Sequence, residues 1–486
     1  MSPEPISRRR ALVLGGLGVA SLAAGATGWA ITAQTGGGEL APPISGAPLA
    51  EPPILDSRGG RLQVELTAAS GVRLAGRDTA ALGFNGTSPG PTLRVRPGDE
   101  LAVRLTNRLD QPTNLHTHGP RVSPQGNGDN PFIRIDPGAW FDYRYRIPPE
   151  QPAGTHWYHP HHHGTVADQL FGGLAGALLV DHGPDLPVDH DRVLLITDIT
   201  LDAGGRVVAP GPMERMMGRQ GALVLVNGQH QPDIPATPGV PQRWRLINGC
   251  VSRVLAIRLD GHQLTQVALD GTFLPAPLPR DQVRLAPGNR VDVVVRPTGP
   301  GRYRLRTDAV DRGGMGGMMG RGGGEAISWP ATLATMTSAG TPVSAPPLPA
   351  ALPADIPPSG SVTRSRQTAF QMGMGAGGMR FTIDGRSFDP DRDDQTVRLG
   401  TIEDWTITNP GPLAHPFHLH IWPFTVLASS DGAAPTGTAQ DVVLVPAGGW
   451  VRVRIPFTAR PGRSVYHCHI LDHEDLGMMA TINVQE

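Results

Sequence analysis

The chain has 486 residues, 39% of them hydrophobic, and a formal net charge of -1. That length predicts several packed domains rather than one core, and the charge balance gives no reason to expect nucleic acid or an acidic membrane surface as a partner. The 63 glycines and 50 prolines interrupt the chain at short intervals, which predicts short strands joined by turns.

At the start, Ser7-Arg8-Arg9-Arg10 precedes a glycine- and alanine-rich run from Ala11 to about Ala33. A paired arginine ahead of a mildly apolar stretch predicts a Tat export signal over residues 1–35, followed by a linker over 36–54. The alternative, a membrane anchor, asks for stronger and more continuous hydrophobicity. The expectation is therefore export by the Tat machinery to the periplasm or the extracellular space, with no stable membrane insertion after processing.

The body of the chain then repeats itself. Leu101-Ala102-Val103-Arg104-Leu105-Thr106-Asn107, Trp244-Arg245-Leu246-Ile247-Asn248 and Trp405-Thr406-Ile407-Thr408-Asn409 are alternating strands that end in the same polar residue. A second pattern, strand, Pro/Gly corner, strand, recurs at Phe141 to His161, Val291 to Arg306 and Val451 to His469. Three copies predict an all-β protein of three Greek-key β-sandwich domains, over 55–185, 190–345 and 360–486.

The copies differ in their decoration. The first carries His116-Thr117-His118 and His159-Pro160-His161; the third carries His415, His418-Leu419-His420 and His467-Cys468-His469. At the equivalent places the middle copy has Leu255-Ala256-Ile257-Arg258-Leu259 and Tyr303-Arg304-Leu305-Arg306, so it reads as a spacer without ligands. A lone H-x-H pair means little, but four pairs at two equivalent places point to metal. Only two cysteines are present. Cys468 lies between histidines and reads as a ligand, and Cys250 reads as a small buried apolar residue.

Residues i and i+2 of a strand share a face, so His467 and His469 point one way and Cys468 the other. One strand can thus serve two metal sites. Cys468, His473 and His415 with an axial Met478 make the two-histidine, one-cysteine, weak-methionine set of a blue copper site. The eight histidines of the four pairs are too many for one ion and divide sensibly among three coppers.

His116-x-His118-Gly119, Trp157-Tyr158-His159-Pro160-His161, His415-Pro416-Phe417-His418-Leu419-His420 and His467-Cys468-His469-x₃-His473-x₄-Met478 together resemble the four copper signatures of the multicopper oxidases. The chain after the signal is similar to the three-domain bacterial laccases and copper-efflux oxidases. The resemblance implies three cupredoxin domains and four coppers: one type 1, one type 2 and a type 3 pair. It implies His415, Cys468, His473 and Met478 as type 1 ligands and His116 and His418 as type 2 ligands. His118, His159, His161, His420, His467 and His469 would then hold the type 3 pair. Thr117 stands where the family often has tryptophan, a neighbour of ligands and not a ligand. His156, His162 and His163 are expected in supporting or exposed positions, and His182, His190, His230 and His262 on the surface or in turns.

The implied reaction takes electrons from a small reducing substrate and delivers them to dioxygen, which becomes water. Glu474 resembles the family's proton-relay acid, and Asp129 lies where its second acid is usually found. Methionines cluster at 213–217, 315–319 and 372–379 among glycines and arginines. Thioethers are soft donors, so these clusters read as flexible loops that capture Cu(I) as substrate. A phenol-oxidising laccase is the alternative. A copper-sequestering protein without turnover is a second, and the complete ligand set disfavours a copper-free, division-type scaffold.

Overall fold

The computed structural model describes residues 43–181, 186–314, 325–355, 358, 360–375 and 378–486. The expected export signal, His182 and the cluster Met315, Met318 and Met319 lie outside these residues.

Alternation drives the fold. The strand Arg61–Ser70 buries Leu62, Val64, Leu66 and Ala68 and turns the residues between them outward. Each such large aliphatic chain contributes roughly 1.5–3 kcal/mol of burial. The strand pairs in parallel with Glu100–Asn107, Leu62 opposite Leu101, and Glu100–Asn107 pairs antiparallel with Trp140–Arg146. The same trio recurs twice. His190–Ile199 pairs with Gln242–Asn248 and that with Arg290–Val295. Arg364–Gly375 pairs with Thr401–Asn409 and that with Gly449–Phe457. The three repeated strands expected from the sequence are the centres of these trios. A parallel neighbour cannot be reached by a hairpin, so each unit closes by a crossing connection, as in a Greek key.

Each trio's sheet is paired with a second sheet of five strands. In the first unit its order is Ile54–Asp56, Thr92–Val95, Gly176–Val180, Gly154–His159, His116–His118. In the third unit it is Gln395–Arg398, Met479–Gln485, Gly462–Cys468, His415–Leu419, Val442–Val445. The middle unit's counterpart includes Leu255–Leu259 beside Gly301–Thr307. The histidine motifs thus occupy corresponding strands in the first and third units. These two units also share one continuous buried cluster, which runs from Leu62 and Tyr158 to Phe417, Cys468 and Met478. Most of the middle sandwich's core, around Trp244 and Leu246, forms a separate cluster.

Two methionine clusters differ from the expected flexible loops. Met213, Met216 and Met217 lie on a short helix, Pro212–Met217, with proline in its first turn and Glu214 accepting the Gly211 N–H at 2.7 Å. Met372, Met374 and Met379 belong to a hairpin of Arg364–Gly375 and Gly378–Ile383, where Met374 stands opposite Met379. Backbone pairing orders these glycine-rich stretches although they carry few core side chains.

Candidate metal centre

Two buried donor clusters form on opposite faces of the strand that ends in Cys468. Its register sets both, with His418 opposite His467 and Phe417 opposite Cys468. In the first unit His116 stands opposite His159, and His118 opposite Trp157. The edges meet between the units, so that His116 stacks on His420 and His118 on His418, each pair with ring centroids 3.9 Å apart.

The larger cluster contains a triangle of imidazole nitrogens. His161 Nε2, His420 Nε2 and His467 Nε2 lie 3.1–3.2 Å from one another. Nitrogens bound to one ion at about 2 Å would stand roughly 3.3–3.5 Å apart. Beside the triangle, His116 Nε2, His118 Nδ1, His159 Nε2, His418 Nε2 and both nitrogens of His469 are buried without a hydrogen-bond partner. Such orphaned acceptors are costly unless something binds them. The opposite nitrogens are tied down: His116 Nδ1–H donates to Asp129, His159 Nδ1–H to the Pro160 carbonyl and His418 Nδ1–H to the Asp441 carbonyl. These bonds choose the tautomer and aim the free nitrogen inward.

The smaller cluster joins His415, Cys468 and His473. His415 Nδ1 is 3.3 Å from Cys468 Sγ and 3.3 Å from His473 Nδ1, and His473 Nδ1 is 3.9 Å from the sulfur. The Ile470 N–H also points at the sulfur, at 3.4 Å. Met478 is wholly buried in the same core, and its N–H donates to the His473 carbonyl at 2.8 Å. His473 Nε2–H donates to the Met216 carbonyl at 3.0 Å, and Phe381 stacks on the ring at 4.5 Å.

Burial shapes the electrostatics. It holds the imidazoles neutral, pushing His161 and His467 down to about 4, and His415 to about 3 with Arg312 adding to the effect. Neutral imidazole is the form that binds a metal. Burial also pushes the Cys468 thiol up, so a cation must displace its proton. Imidazole suits copper, and two histidines with a thiolate are the strong ligands of a blue copper site, so both donor sets fit that metal.

The sequence-predicted acids are both present. Glu474 is wholly buried, with Oε2 3.1 Å from His467 Nδ1 and Oε1 3.6 Å from His161 Nε2. Burial raises its carboxyl to about 7, His161 pulling the other way. Asp129 accepts from His116 and lies 3.9 Å from His420 Nδ1. It also accepts the Thr117 N–H at 2.8 Å and the Thr117 hydroxyl at 3.3 Å, so Thr117 anchors the acid. His156 is buried beside Gly271 of the middle unit and stands in none of the donor groups, whereas His162 and His163 are only partly buried.

Sequence reasoning missed Asp441, Arg290 and Asn114. Asn114 Oδ1 accepts the His161 N–H at 2.6 Å. Asp441 Oδ1 lies 3.0 Å from His118 Nε2 and is paired with Arg290. The available signal was a charge at the head of an apolar run, in Gln440-Asp441-Val442-Val443 and in Arg290-Val291-Asp292-Val293.

The comparisons agree with this geometry. Three sequence profiles described as Multicopper oxidase match residues 66–185, 154–318 and 356–486. Multicopper oxidase mco of Staphylococcus haemolyticus is 29% identical over 83% of this chain and 83% of its own length. Cell division protein FtsP of Dickeya dadantii is 30% identical over 99% of each. The solved structure of the Campylobacter jejuni multicopper oxidase, described as a metallo-oxidase, aligns with a TM-score of 0.81 at 29% identity, covering 93% of this chain and 98% of that one. The fold and the donor clusters define an oxidoreductase with copper-type metal centres. The chain belongs to the multicopper oxidase family, whose chemistry couples oxidation of a substrate to reduction of dioxygen.

Proposed function

We propose that this enzyme is a cuprous oxidase holding four coppers. In this reading His415, Cys468, His473 and Met478 hold the type 1 ion, and His116 and His418 the type 2 ion. His118, His159, His161, His420, His467 and His469 hold the type 3 pair. Copper in these positions supplies one-electron storage and the place where dioxygen is reduced. The protein supplies the rest. Cys468 is bonded through the main chain to His467 and His469, giving a covalent route from its sulfur to two imidazoles of the larger cluster. Trp157, stacked on His159 at 4.2 Å, helps exclude water. Glu474 holds a proton on its carboxylate beside His467 and His161, ready for the oxygen side of the reaction. Asp129 orients His116 and is the second candidate proton donor.

One observation carries the choice of Cu(I). His473 is wholly buried, and Met216, Met372 and Met379 pack on the cluster that contains Cys468 and Met478. Among the described residues no edge of the His473 ring is left for an aromatic donor to lie against. A cuprous ion needs only soft sulfur nearby. The Campylobacter jejuni relative, described as a metallo-oxidase, supports the same choice. The Arg8-Arg9 pair ahead of an apolar run supports export to the periplasm or beyond the cell, a setting that suits copper detoxification.

The triple variant Met216→Leu, Met372→Leu and Met379→Leu keeps apolar volume and removes the soft donor. Cu(I) oxidation should fall at least several-fold, while oxidation of a phenol stays level or rises. Steady-state rates on fully copper-loaded protein decide it. Equal Cu(I) rates in variant and parent would leave a laccase as the better reading.

Glu474→Gln retains shape and loses the transferable proton. Positioned acid catalysis typically contributes about 10²–10⁴-fold, so oxygen consumption should fall by about a hundredfold or more. Reduction of the Cys468 centre under anaerobic conditions and its visible band should stay unchanged. Normal turnover across the pH range would return Glu474 to the ordinary buried carboxyls.

A further inference from the structure

Among the described residues the middle unit contributes no side chain to the donor groups, yet its backbone packs on the larger cluster. At Gly288 φ is +91°, and a Cβ there would stand 3.0 Å from the His469 ring and 3.2 Å from His118 Cε1. Only glycine tolerates both the conformation and the approach. Two residues on, Arg290 begins the strand Arg290–Val295 and is wholly buried. Its guanidinium grips Asp441 of the third unit with both arms, Nη1 to Oδ1 and Nη2 to Oδ2, at 2.6 Å each. It also donates to the Gly288 carbonyl at 3.1 Å and, through Nε, to the Thr155 carbonyl of the first unit at 3.2 Å. One side chain therefore touches all three sandwiches.

Asp441 in turn addresses two histidines from different units. Its Oδ1 lies 3.0 Å from His118 Nε2, and its main-chain carbonyl accepts the His418 Nδ1–H at 2.8 Å. The other nitrogens, His118 Nδ1 and His418 Nε2, are the buried orphans. The two rings stack within 13° of parallel. Asp270 of the middle unit holds this arrangement from behind. It accepts the Arg290 N–H at 2.9 Å and the N–H groups of Asp441 and Val442 at 3.3 and 3.2 Å. Asn289 braces Asp270 at 3.0 Å and the Val442 carbonyl at 3.1 Å.

Energetics argue against a purely structural purpose. Desolvating ion pairs costs more than apolar packing, so a buried carboxylate–guanidinium–carboxylate set is weak support for a fold. The Asp441 carboxylate is already engaged by the Arg290 fork and by His118, so it is not itself a free ligand. Its place is that of an orienting partner, the outer carboxylate that fixes the ring of a metal-binding histidine.

We infer that the middle unit completes the histidine cluster: Arg290 and Asp270 lock Asp441, and Asp441 positions His118 and His418 for metal. This rests on the four-copper reading above, with the three residues as positioning residues. The test loads full-length wild type, Asp441→Asn and Arg290→Lys with copper and titrates each with a chelator. It follows copper per chain, the paramagnetic resonance of the ion at His116 and His418, and the blue band of the Cys468 centre. Melting of the copper-free proteins controls for folding. Lysine keeps the charge of Arg290 and loses the fork.

Loss of an outer carboxylate typically weakens a metal site by about 10–100-fold. Asp441→Asn should therefore release the cluster's copper at about 10- to 100-fold lower chelator, with altered resonance and the blue band intact. Arg290→Lys should fall between it and wild type. Should Asp441→Asn fail to fold, Arg290→Lys decides alone by the same shift. Folded variants with the wild-type chelator midpoint and resonance would overturn the inference and leave the four-copper reading standing. A wild type that never exceeds one copper per chain would overturn both.

Discussion

Cys468→Ser should be colourless and inactive. The intense visible absorption expected of the copper-loaded protein comes from thiolate-to-copper charge transfer, and Cys468 is the sulfur that lies 3.3 Å from His415 and 3.9 Å from His473. Serine offers a hard oxygen of higher pKa, which neither forms that soft bond nor stabilises the same site. The fold should survive, because the Ile470 N–H that points at the sulfur can meet a hydroxyl instead. The measurements are the visible spectrum, steady-state oxygen consumption and thermal melting of the copper-free protein. A Cys468→Ser protein that kept the intense band would sink the assignment of this residue.

The double variant His161→Ala and His420→Ala should separate the two centres. It removes two corners of a nitrogen triangle whose edges measure 3.1–3.2 Å. On the four-copper reading, a single remaining imidazole cannot hold an ion that three would bind. Oxygen consumption should drop to background, and copper should fall below the roughly four ions per chain expected from the donor count. The His415–Cys468–His473 group is left intact, so the blue band should persist, bleach once with a reductant and fail to return in air. Sustained turnover by this variant would mean that oxygen is reduced elsewhere.

Much of this centre was legible before any fold was drawn, and the reason is local. On a strand, alternate residues share a face, so His467-Cys468-His469 already says that sulfur and imidazoles serve opposite sides. Ligand chemistry is also confined to few residue types, and four H-x-H pairs at equivalent places in two of three repeats are hard to produce otherwise. The repeated strands around 101–107, 244–248 and 405–409 were legible for the same reason, since a half-buried strand writes its period directly into the residues.

The methionines were legible only in part. Composition marked Met213 to Met217 and Met372 to Met379 as soft donors, but glycine-rich sequence cannot reveal that a helix and a hairpin would order them against the Cys468 core. Asp441 and Arg290 are the clearer limit. A charge at the head of an apolar strand announces that it must be paired, and nothing local names the partner, which here lies 151 residues away. What each side chain can bind was set by the residues themselves. Which nitrogen of each imidazole faces inward was settled only by packing, because that depends on carbonyls and carboxylates brought in from other strands, and at Asp441 on a carboxylate held by the middle sandwich.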